Sequence, residues 1–204
     1  HILAVDGEHE QAMNCYLKAA RLRESAFEPY LYVAMGHCYT NNLKLASDFL
    51  ADPTVRESTS PFVMHEIATL EYTKKNYKLA SSLFLRALCV VTDVGESEAL
   101  RDVDEVLKRV VSIFWEPLIT NLGHAYRRLG LYERALKCLQ KSLLMRPRRS
   151  LAMASLAMVY VGLKDYAKAA QYFHRALSIK PFSATLKTSL ESMVNALYRG
   201  ERSE

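Results

Sequence analysis

An alanine recurs along this chain at a fixed interval, and this period is the feature that most restricts the fold. The recurring residues are Ala12, Ala46, Ala80, Ala135 and Ala169. Their spacings are 34, 34, 55 and 34 residues, so a single interval carries an insertion of 21 residues. A period of 34 residues predicts a stack of helix hairpins, because one hairpin of two short helices and a turn fills that length.

The residues around each alanine have sizes that alternate at helical spacing. Four residues later stands a large apolar group, namely Tyr16, Leu50, Phe84, Leu139 and Phe173. Three further on is a small residue (Ala19, Ala87, Ser142, Ala176), and another lies twelve before the alanine (Ala34, Ala68, Gly123, Ala157). Helices that cross at close range need a small residue at the crossing and a large one a turn away. We therefore predict that Ala80, Ala135 and Ala169 are buried at helix crossings.

Turn and stop signals divide the chain into paired helices. Residues that favour turns are Gly7, Asn41, Asn42, Lys75, Asn76, Gly130, Lys164 and Asp165, and each group falls between the helices of one pair. Pro147 and Pro181 end the second helices of the last two pairs. The predicted hairpins are a truncated one over about 1–23, then 28–52, 61–91, 116–146 and 150–180. A helix over about 184–198 caps the stack, and we treat 1–204 as one repeat domain.

These positions resemble those of the tetratricopeptide family. The segments NLGHAYRRLGLYERALKCLQKSLLMRP (121–147) and SLAMVYVGLKDYAKAAQYFHRALSIKP (155–181) carry the small, aromatic, alanine, large and proline positions of that repeat in order. The resemblance implies an all-α, right-handed superhelical solenoid of helix hairpins with a C-terminal capping helix. Such repeats cannot bury their apolar faces alone and therefore stack on their neighbours.

Two places depart from the regular repeat. Pro53 stands where a small helical residue is expected, so the second helix of that hairpin should end early or kink, with its irregularity over 52–60. In the insertion over about 92–114, apolar residues recur at helical spacing (Ala99, Val103, Val106, Val110, Phe114). We predict that the insertion is helical, with Ser97 as its N-cap.

The composition excludes several classes of site. The 27 Lys and Arg are interleaved with 22 Asp and Glu, for a net charge of only +5, and no long basic tract suggests nucleic acid. The densest basic cluster, Arg146, Arg148 and Arg149, is interpreted as a solvated loop.

The four cysteines lie more than twenty residues apart, which excludes a closely spaced zinc or redox motif. Apolar runs are too short to cross a membrane. The opening residues lack a signal peptide, and we interpret the chain as the C-terminal piece of a longer protein.

No constellation predicts catalysis, and we expect no metal or cofactor. His65 and Glu66 are adjacent, so their side chains should diverge by about 100° around a helix. His124 has no Ser or Cys spaced to act as a nucleophile. With seven glycines in the chain, no phosphate-binding loop can form.

A protein-binding surface is the function that the repeat favours. In a stacked solenoid the first helix of each hairpin lines the concave side. By this rule the groove is lined by Leu31, Met35, Tyr39, His65, Thr69, Tyr72, Thr120, Asn121, His124, Arg127, Arg128 and Met158. Histidine, tyrosine and arginine offer flat faces and donors to a peptide, although a wet groove without a fixed ligand would show similar residues.

A more specific resemblance appears in the segments AVDGEHEQAMNCYLKAARL, YTNNLKLASDFL, SPFVMHEIATLEY and FWEPLITNLGHAYRRLGLYERAL. Their order and spacing resemble the C-terminal repeats of the subunit-six (cell-division-cycle sixteen) family of the anaphase-promoting complex. The resemblance implies a non-catalytic scaffold of a mitotic ubiquitin ligase, present in nucleus and cytoplasm. It also implies that the groove encloses the N-terminal segment of a small partner subunit and that other repeat subunits are neighbours, without nucleic acid or membrane.

Two alternatives stay open on sequence alone. A co-chaperone module would clamp a C-terminal carboxylate through Lys and Asn on successive first helices, but the corresponding positions offer Asn121 alone. A repeat region attached to an enzyme would need a catalytic domain outside these 204 residues.

Overall fold

The computed structural model describes residues 9–22, 26–56 and 58–200, and within these ranges the chain is helical without β-strands. This confirms the predicted all-α fold. The chain divides into two compact units, His1–Val90 and Val91–Glu204.

The first unit contains six helices within its described residues. They are α1 (His9–Leu22), α2 (Glu28–Tyr39), α3 (Leu43–Leu50), α4 (Pro53–Arg56), α5 (Pro61–Thr73) and α6 (Tyr77–Thr92), the last of which ends just past the unit boundary. Helix α2 packs against α1 and α3, and α5 packs against α2 and α3. The core between these helices contains Leu31, Ala34, Ala46, Leu50, Val55, Val63 and Leu70.

The second unit contains the insertion and the two most regular hairpins. Its elements are α7 (Glu96–Arg101), α8 (Asp104–Leu107), a 3-10 turn (Ile113–Trp115), α9 (Glu116–Arg128), α10 (Tyr132–Met145), α11 (Ser150–Gly162), α12 (Tyr166–Ile179) and α13 (Ala184–Gly200). From α9 to α13 each helix packs against the next one in the chain. Helix α8 packs against α10.

The recurring alanines lie where their spacing predicted. Ala80, Ala135 and Ala169 are completely buried, which confirms their assignment to helix crossings. Gly123 shows how close such a crossing is, because a Cβ added there would lie 2.9 Å from Cγ of Leu139 on the neighbouring helix. The small residues therefore set the distance at which paired helices approach.

The turns inside the hairpins share one backbone design that fixes the register of the alanines. One residue in each adopts the left-handed conformation, with φ of 59° at Asn41, 66° at Lys75, 76° at Gly130 and 61° at Lys164. The following residue donates its N–H to a carbonyl five residues earlier, as in the bond from Leu131 to Tyr126 (2.9 Å). This is the Schellman ending of a helix. The carbonyl of the residue that follows the left-handed one then accepts the N–H of the repeated alanine, as the carbonyl of Leu131 accepts from Ala135 (3.0 Å).

The departures from the regular repeat are only partly as predicted. Helix α3 ends at Leu50 after eight residues and Pro53 starts the separate helix α4, which confirms the early end. The insertion, however, is not one helix capped by Ser97. Helix α7 starts from Gly95 with Ser97 inside it, and the chain becomes extended at Asp102 (φ −137°). The Asp102 carboxylate accepts the N–H of Asp104, the first residue of α8, and this local bond caps the start of that second helix.

Candidate functional site

The predicted groove residues fall on the first helices of the hairpins, some in each unit. In the first unit they belong to α2 and α5, and in the second to α9 and α11. Each unit therefore carries its own first-helix face. The side chain of Tyr39 lies outside the residues that the structure describes.

Two of these residues do not lie on an accessible face. Leu31 is 1% exposed and belongs to the core of the first unit, and Thr120 is 0% exposed. The prediction that they line a binding surface is wrong, because a first helix in a stack must also bury one side against its neighbours. The partly accessible residues are Met35, His65, Thr69, Tyr72, Asn121, His124, Arg127 and Met158, and Arg128 is exposed.

On α5, the partly buried side chains are connected to one another. Nδ1 of His65 lies 2.9 Å from Oε1 of Glu66, so the two adjacent side chains do meet, contrary to the divergence expected from helix geometry. The hydroxyl of Thr69 donates to the carbonyl of His65 (2.9 Å), and the ring of Tyr72 packs edge-on against Tyr77 with centroids 5.2 Å apart. These contacts hold the imidazole and phenol in fixed positions on the face.

On the α9–α11 face, His124 is held as a neutral imidazole. Its Nδ1 lies 3.4 Å from Oγ of Ser155, and that hydroxyl already donates to the carbonyl of Leu151 (2.8 Å). The hydroxyl has one hydrogen, so Nδ1–H is the donor to Ser155 and Nε2 is left as an acceptor. Burial, assisted by the positive charge of Arg127, lowers the pKa of His124 to about 4. At neutral pH this imidazole can therefore accept a hydrogen bond but carries no charge.

Arg127, one turn after His124, offers a second polar group. Its Nε is buried and has no hydrogen-bond partner. Buried polar groups in proteins are nearly always bonded, but this N–H is an unsatisfied donor inside the helix packing, closed to a ligand on the surface.

An open cavity of about 530 Å³ lies between α11 and α13 in the same unit. It is lined by Met158, Val161, Ala184, Thr185, Thr188, Ser189, Ser192 and Met193. Two methionines and a valine make its floor apolar, and the hydroxyl groups of α13 surround it. Met158 was predicted from the sequence, whereas the contribution of α13 follows only from its packing against α12.

A buried acidic centre at the start of α9 was not predicted. Glu116 is 0% exposed, and its Oε1 accepts hydrogen bonds from the hydroxyls of Thr120 and Ser142, each at 2.5 Å. The guanidinium of Arg149 contacts Oε2, and Nε of Arg146 lies 3.7 Å away. Two of the three clustered arginines thus hold this carboxylate, which corrects their interpretation as a solvated loop. The sequence did contain one indication of this site: Ser142 stands at a repeat position where other repeats have alanine.

Metal ligation, disulfide bonding and membrane spanning are not indicated within the described residues. Within 9–22, 26–56 and 58–200 no group of three or more His, Cys, Asp or Glu could hold a metal ion. The four cysteines are free thiols. None of the helices in the described part of the chain is long and apolar enough to cross a membrane.

Comparison with known proteins supports the repeat assignment. Residues 120–184 match the family model described as tetratricopeptide repeat. The chain is 32% identical to the human Cell division cycle protein 16 homolog over 189 residues, which is 91% of this chain and 28% of that protein. It is 30% identical to the Anaphase-promoting complex subunit cut9 of Schizosaccharomyces pombe over 98% of its length. The chain spans 28% of that relative as well.

A solved structure with the same fold is that of the APC/C hetero-tetramer Cut9–Hcn1. The match has a TM-score of 0.78 at 28% sequence identity and covers 94% of this chain and 34% of the solved one. The helix arrangement and the sequence similarity therefore agree over nearly the whole length of the chain.

Proposed function

Since the chain is a tetratricopeptide-repeat protein that resembles the cell-division-cycle sixteen subunits, we propose that it acts as a scaffold in an anaphase-promoting complex (cyclosome) ubiquitin ligase. The observation that carries this proposal is the 32% identity over 91% of the chain to a single family of subunits. The chain spans 28% of those relatives, and this part would contribute a binding surface rather than catalysis. Its place of action would be that of the complex, in nucleus and cytoplasm.

The proposed ligand is the N-terminal segment of a small partner subunit. Cut9 was solved together with Hcn1, and a counterpart of Hcn1 would be the partner of this chain. In the second unit, the cavity beside Met158 and Met193 would take an apolar side chain of the segment. The acceptor on His124 would bond its backbone. In the first unit, Met35 of α2 and the His65–Tyr72 face of α5 would contact a separate stretch.

The experiment is a titration of the full 204-residue chain with a synthetic N-terminal peptide of the small partner. We expect micromolar or tighter binding, with the affinity reduced about tenfold or more by Met158→Ala and by His124→Ala. Arg148→Ala serves as the control, because Arg148 is exposed and lies in the loop between α10 and α11. Binding that is equal in all three variants would place the peptide on a different surface.

A second peptide tests the co-chaperone alternative. A peptide that ends in a free acidic carboxyl group should bind no better than the same peptide with an amidated end, since the first-helix faces offer no pair of Lys and Asn to clamp it. A clear preference for the free carboxylate would favour the co-chaperone function.

The scaffold function also excludes turnover by this chain. We expect neither nucleotide hydrolysis nor release of ubiquitin from a loaded conjugating enzyme above the buffer rate. Turnover that His124→Ala abolishes would contradict the proposal.

A further inference from the structure

In the second unit, the connections between successive hairpins meet at one edge. The helices of a hairpin are antiparallel, so α9, α11 and α13 all begin where α10 and α12 end. Their starts therefore lie side by side. We define the inter-repeat edge as residues 109–115, 144–151 and 180–187.

The insertion reaches this edge because it runs along α10. The guanidinium of Arg134 donates to the carbonyl of Leu100 (2.9 Å) near the beginning of α10. Nζ of Lys137 lies 2.6 Å from the Asp104 carboxylate one turn later. Nζ of Lys141 then donates to the carbonyl of Arg109 (3.3 Å) a further turn on. The insertion thus follows α10 and delivers residues 109–115 beside the end of that helix.

The inter-repeat edge exposes large apolar side chains from each of its three segments. Val110 is 99% exposed, Leu144 is 79% exposed and Phe182 is 93% exposed. Ile113, Phe114 and Leu151 are also more than half exposed. Single exposed apolar residues are ordinary on a protein surface, but a cluster of them surrounded by polar groups marks an interaction site.

The charges of the inter-repeat edge have one sign. Arg109, Arg148, Lys180 and Lys187 are exposed along it. The acidic residue next to the edge is Glu116, which is buried against Arg149. The other acidic residues of the described second unit lie outside the edge. They are Asp93, Glu96, Glu98, Asp102, Asp104 and Glu105 in or just before the insertion, Glu133 and Asp165 at the turns inside the hairpins, and Glu191 on α13, one turn after Lys187. The partial positive charges at the starts of α9, α11 and α13 are offset by the partial negative charges at the ends of α10 and α12, so the lysines and arginines carry the charge of the edge.

We propose that the inter-repeat edge of the second unit binds an acidic segment of a partner protein that also carries leucine or phenylalanine side chains. Apolar side chains of the segment cover Val110, Leu144 and Phe182, while its carboxylates pair with the surrounding lysines and arginines. The apolar part supplies affinity and the charges select an acidic partner over a basic one. This surface is separate from the first-helix faces, so it does not depend on the function proposed above.

The test measures binding of a fluorescein-labelled peptide in which Asp and Glu alternate with Leu and Phe, by fluorescence anisotropy with the full chain. One control peptide replaces the acidic residues by Asn and Gln, and another replaces the apolar residues by Ser. We expect binding by the parent peptide only, weakened by salt. The double variant Val110→Ser/Phe182→Ser and the double variant Arg148→Gln/Lys180→Gln should each weaken it about tenfold.

Matched controls come from the opposite edge of the same unit. Leu163→Ser and Lys164→Gln change an exposed apolar residue and an exposed basic residue at the α11–α12 turn, and they should leave binding unchanged. Since all the substituted side chains are exposed, each variant should fold, which circular dichroism can verify. A small-partner peptide bound to the first-helix faces should not displace the acidic peptide.

Several outcomes would overturn the proposal. One is equal binding of the neutral and acidic peptides, and another is equal binding by the edge variants and their controls. Tighter binding of a single-stranded RNA or of vesicles with an anionic lipid would assign the edge to a different class of ligand. Self-association of the chain in sedimentation, lost in Val110→Ser/Phe182→Ser, would make a second copy the occupant.

Discussion

The carboxylate of Glu116 is completely buried and is contacted by the guanidinium of Arg149, 33 residues further along the chain. Glu116 is the first residue of α9, and Arg149 directly precedes α11. The ion pair therefore ties the first helices of two successive hairpins together at their starts.

Removal of Arg149 should destabilise the second unit strongly. Arg149→Ala leaves the buried carboxylate with the more distant Arg146 as its cation, beside the hydroxyls of Thr120 and Ser142. We expect a loss of about 3 kcal/mol in the free energy of unfolding. Urea denaturation measures it, with Arg148→Ala as an exposed control that should change by less than about 0.5 kcal/mol. The double variant Glu116→Gln/Arg149→Ala should be more stable than Arg149→Ala alone, because no charge stays buried. If the double variant is less stable, burial of the charge is not the cause.

An enlarged residue at a helix crossing should also be costly. Ala135 is completely buried between α9 and α10, and Ala135→Leu should cost about 1–3 kcal/mol through overpacking. Ala167→Leu makes the same change at an exposed helical position and should be nearly neutral. Thermal unfolding of the two variants side by side provides the measurement. An unchanged melting temperature for Ala135→Leu would contradict the packing described above.

The turns inside the hairpins offer a reciprocal pair of substitutions. Gly130 has a φ of 76°, and an added Cβ would have nothing within 4 Å, so Gly130→Ala should cost about 1 kcal/mol from the backbone alone. Lys164 adopts the same conformation with φ of 61°, and Lys164→Gly should gain up to about 1 kcal/mol. Chemical denaturation can measure both effects. Changes of the same sign in the two variants would show that another contact decides the stability of these turns.

The stability of the second unit should depend on pH through His124. Its pKa falls from 6.5 to about 4 on folding because burial disfavours the charged ring. Below pH 6.5 the imidazole binds a proton in the unfolded chain but not in the folded one. The contribution of His124 to the free energy of unfolding is therefore fully present above pH 6.5 and is lost as the pH falls toward 4. Between pH 7.5 and 4.5 the loss should be roughly 2–3 kcal/mol.

The His124→Gln variant isolates this effect from the titration of carboxylates. When the pH is lowered from 7.5 to 4.5, the free energy of unfolding should decrease less in the variant than in the parent. The difference between these two decreases is the contribution of His124. Parallel losses in parent and variant would mean that the imidazole is not buried as described.

Binding of the partner peptide should stabilise the chain. At a peptide concentration about a hundredfold above the dissociation constant, linkage alone gives about 2.7 kcal/mol. Tyr72→Ala and His124→Ala should fold but lose much of this gain, whereas Arg148→Ala should keep it. Thermal unfolding with and without peptide measures the gain in each variant. If Tyr72→Ala and His124→Ala both kept the full stabilisation by the peptide, the peptide would not bind to the first-helix faces.

The helical period was accessible from the sequence because the requirements for close helix crossings are local. A small residue at Ala80, Ala135 and Ala169 and a turn residue such as Gly130 recur at a fixed spacing, and each acts within its own hairpin. Met158 was likewise predicted to be accessible from its place on a first helix. These residues interact with neighbours whose positions follow from helix geometry alone.

The tertiary structure decided which side of each first helix is buried and which residues meet across repeats. Leu31 and Thr120 have the spacing of groove residues but are buried, because the crossing angle of the next helix determines the face that is covered. The path of the insertion along α10 depends on bonds such as Lys137–Asp104, between residues 33 apart. The Glu116–Arg149 pair is of the same kind: the sequence supplied both charges, but only the stacking of α9 and α11 brings them together in a buried site.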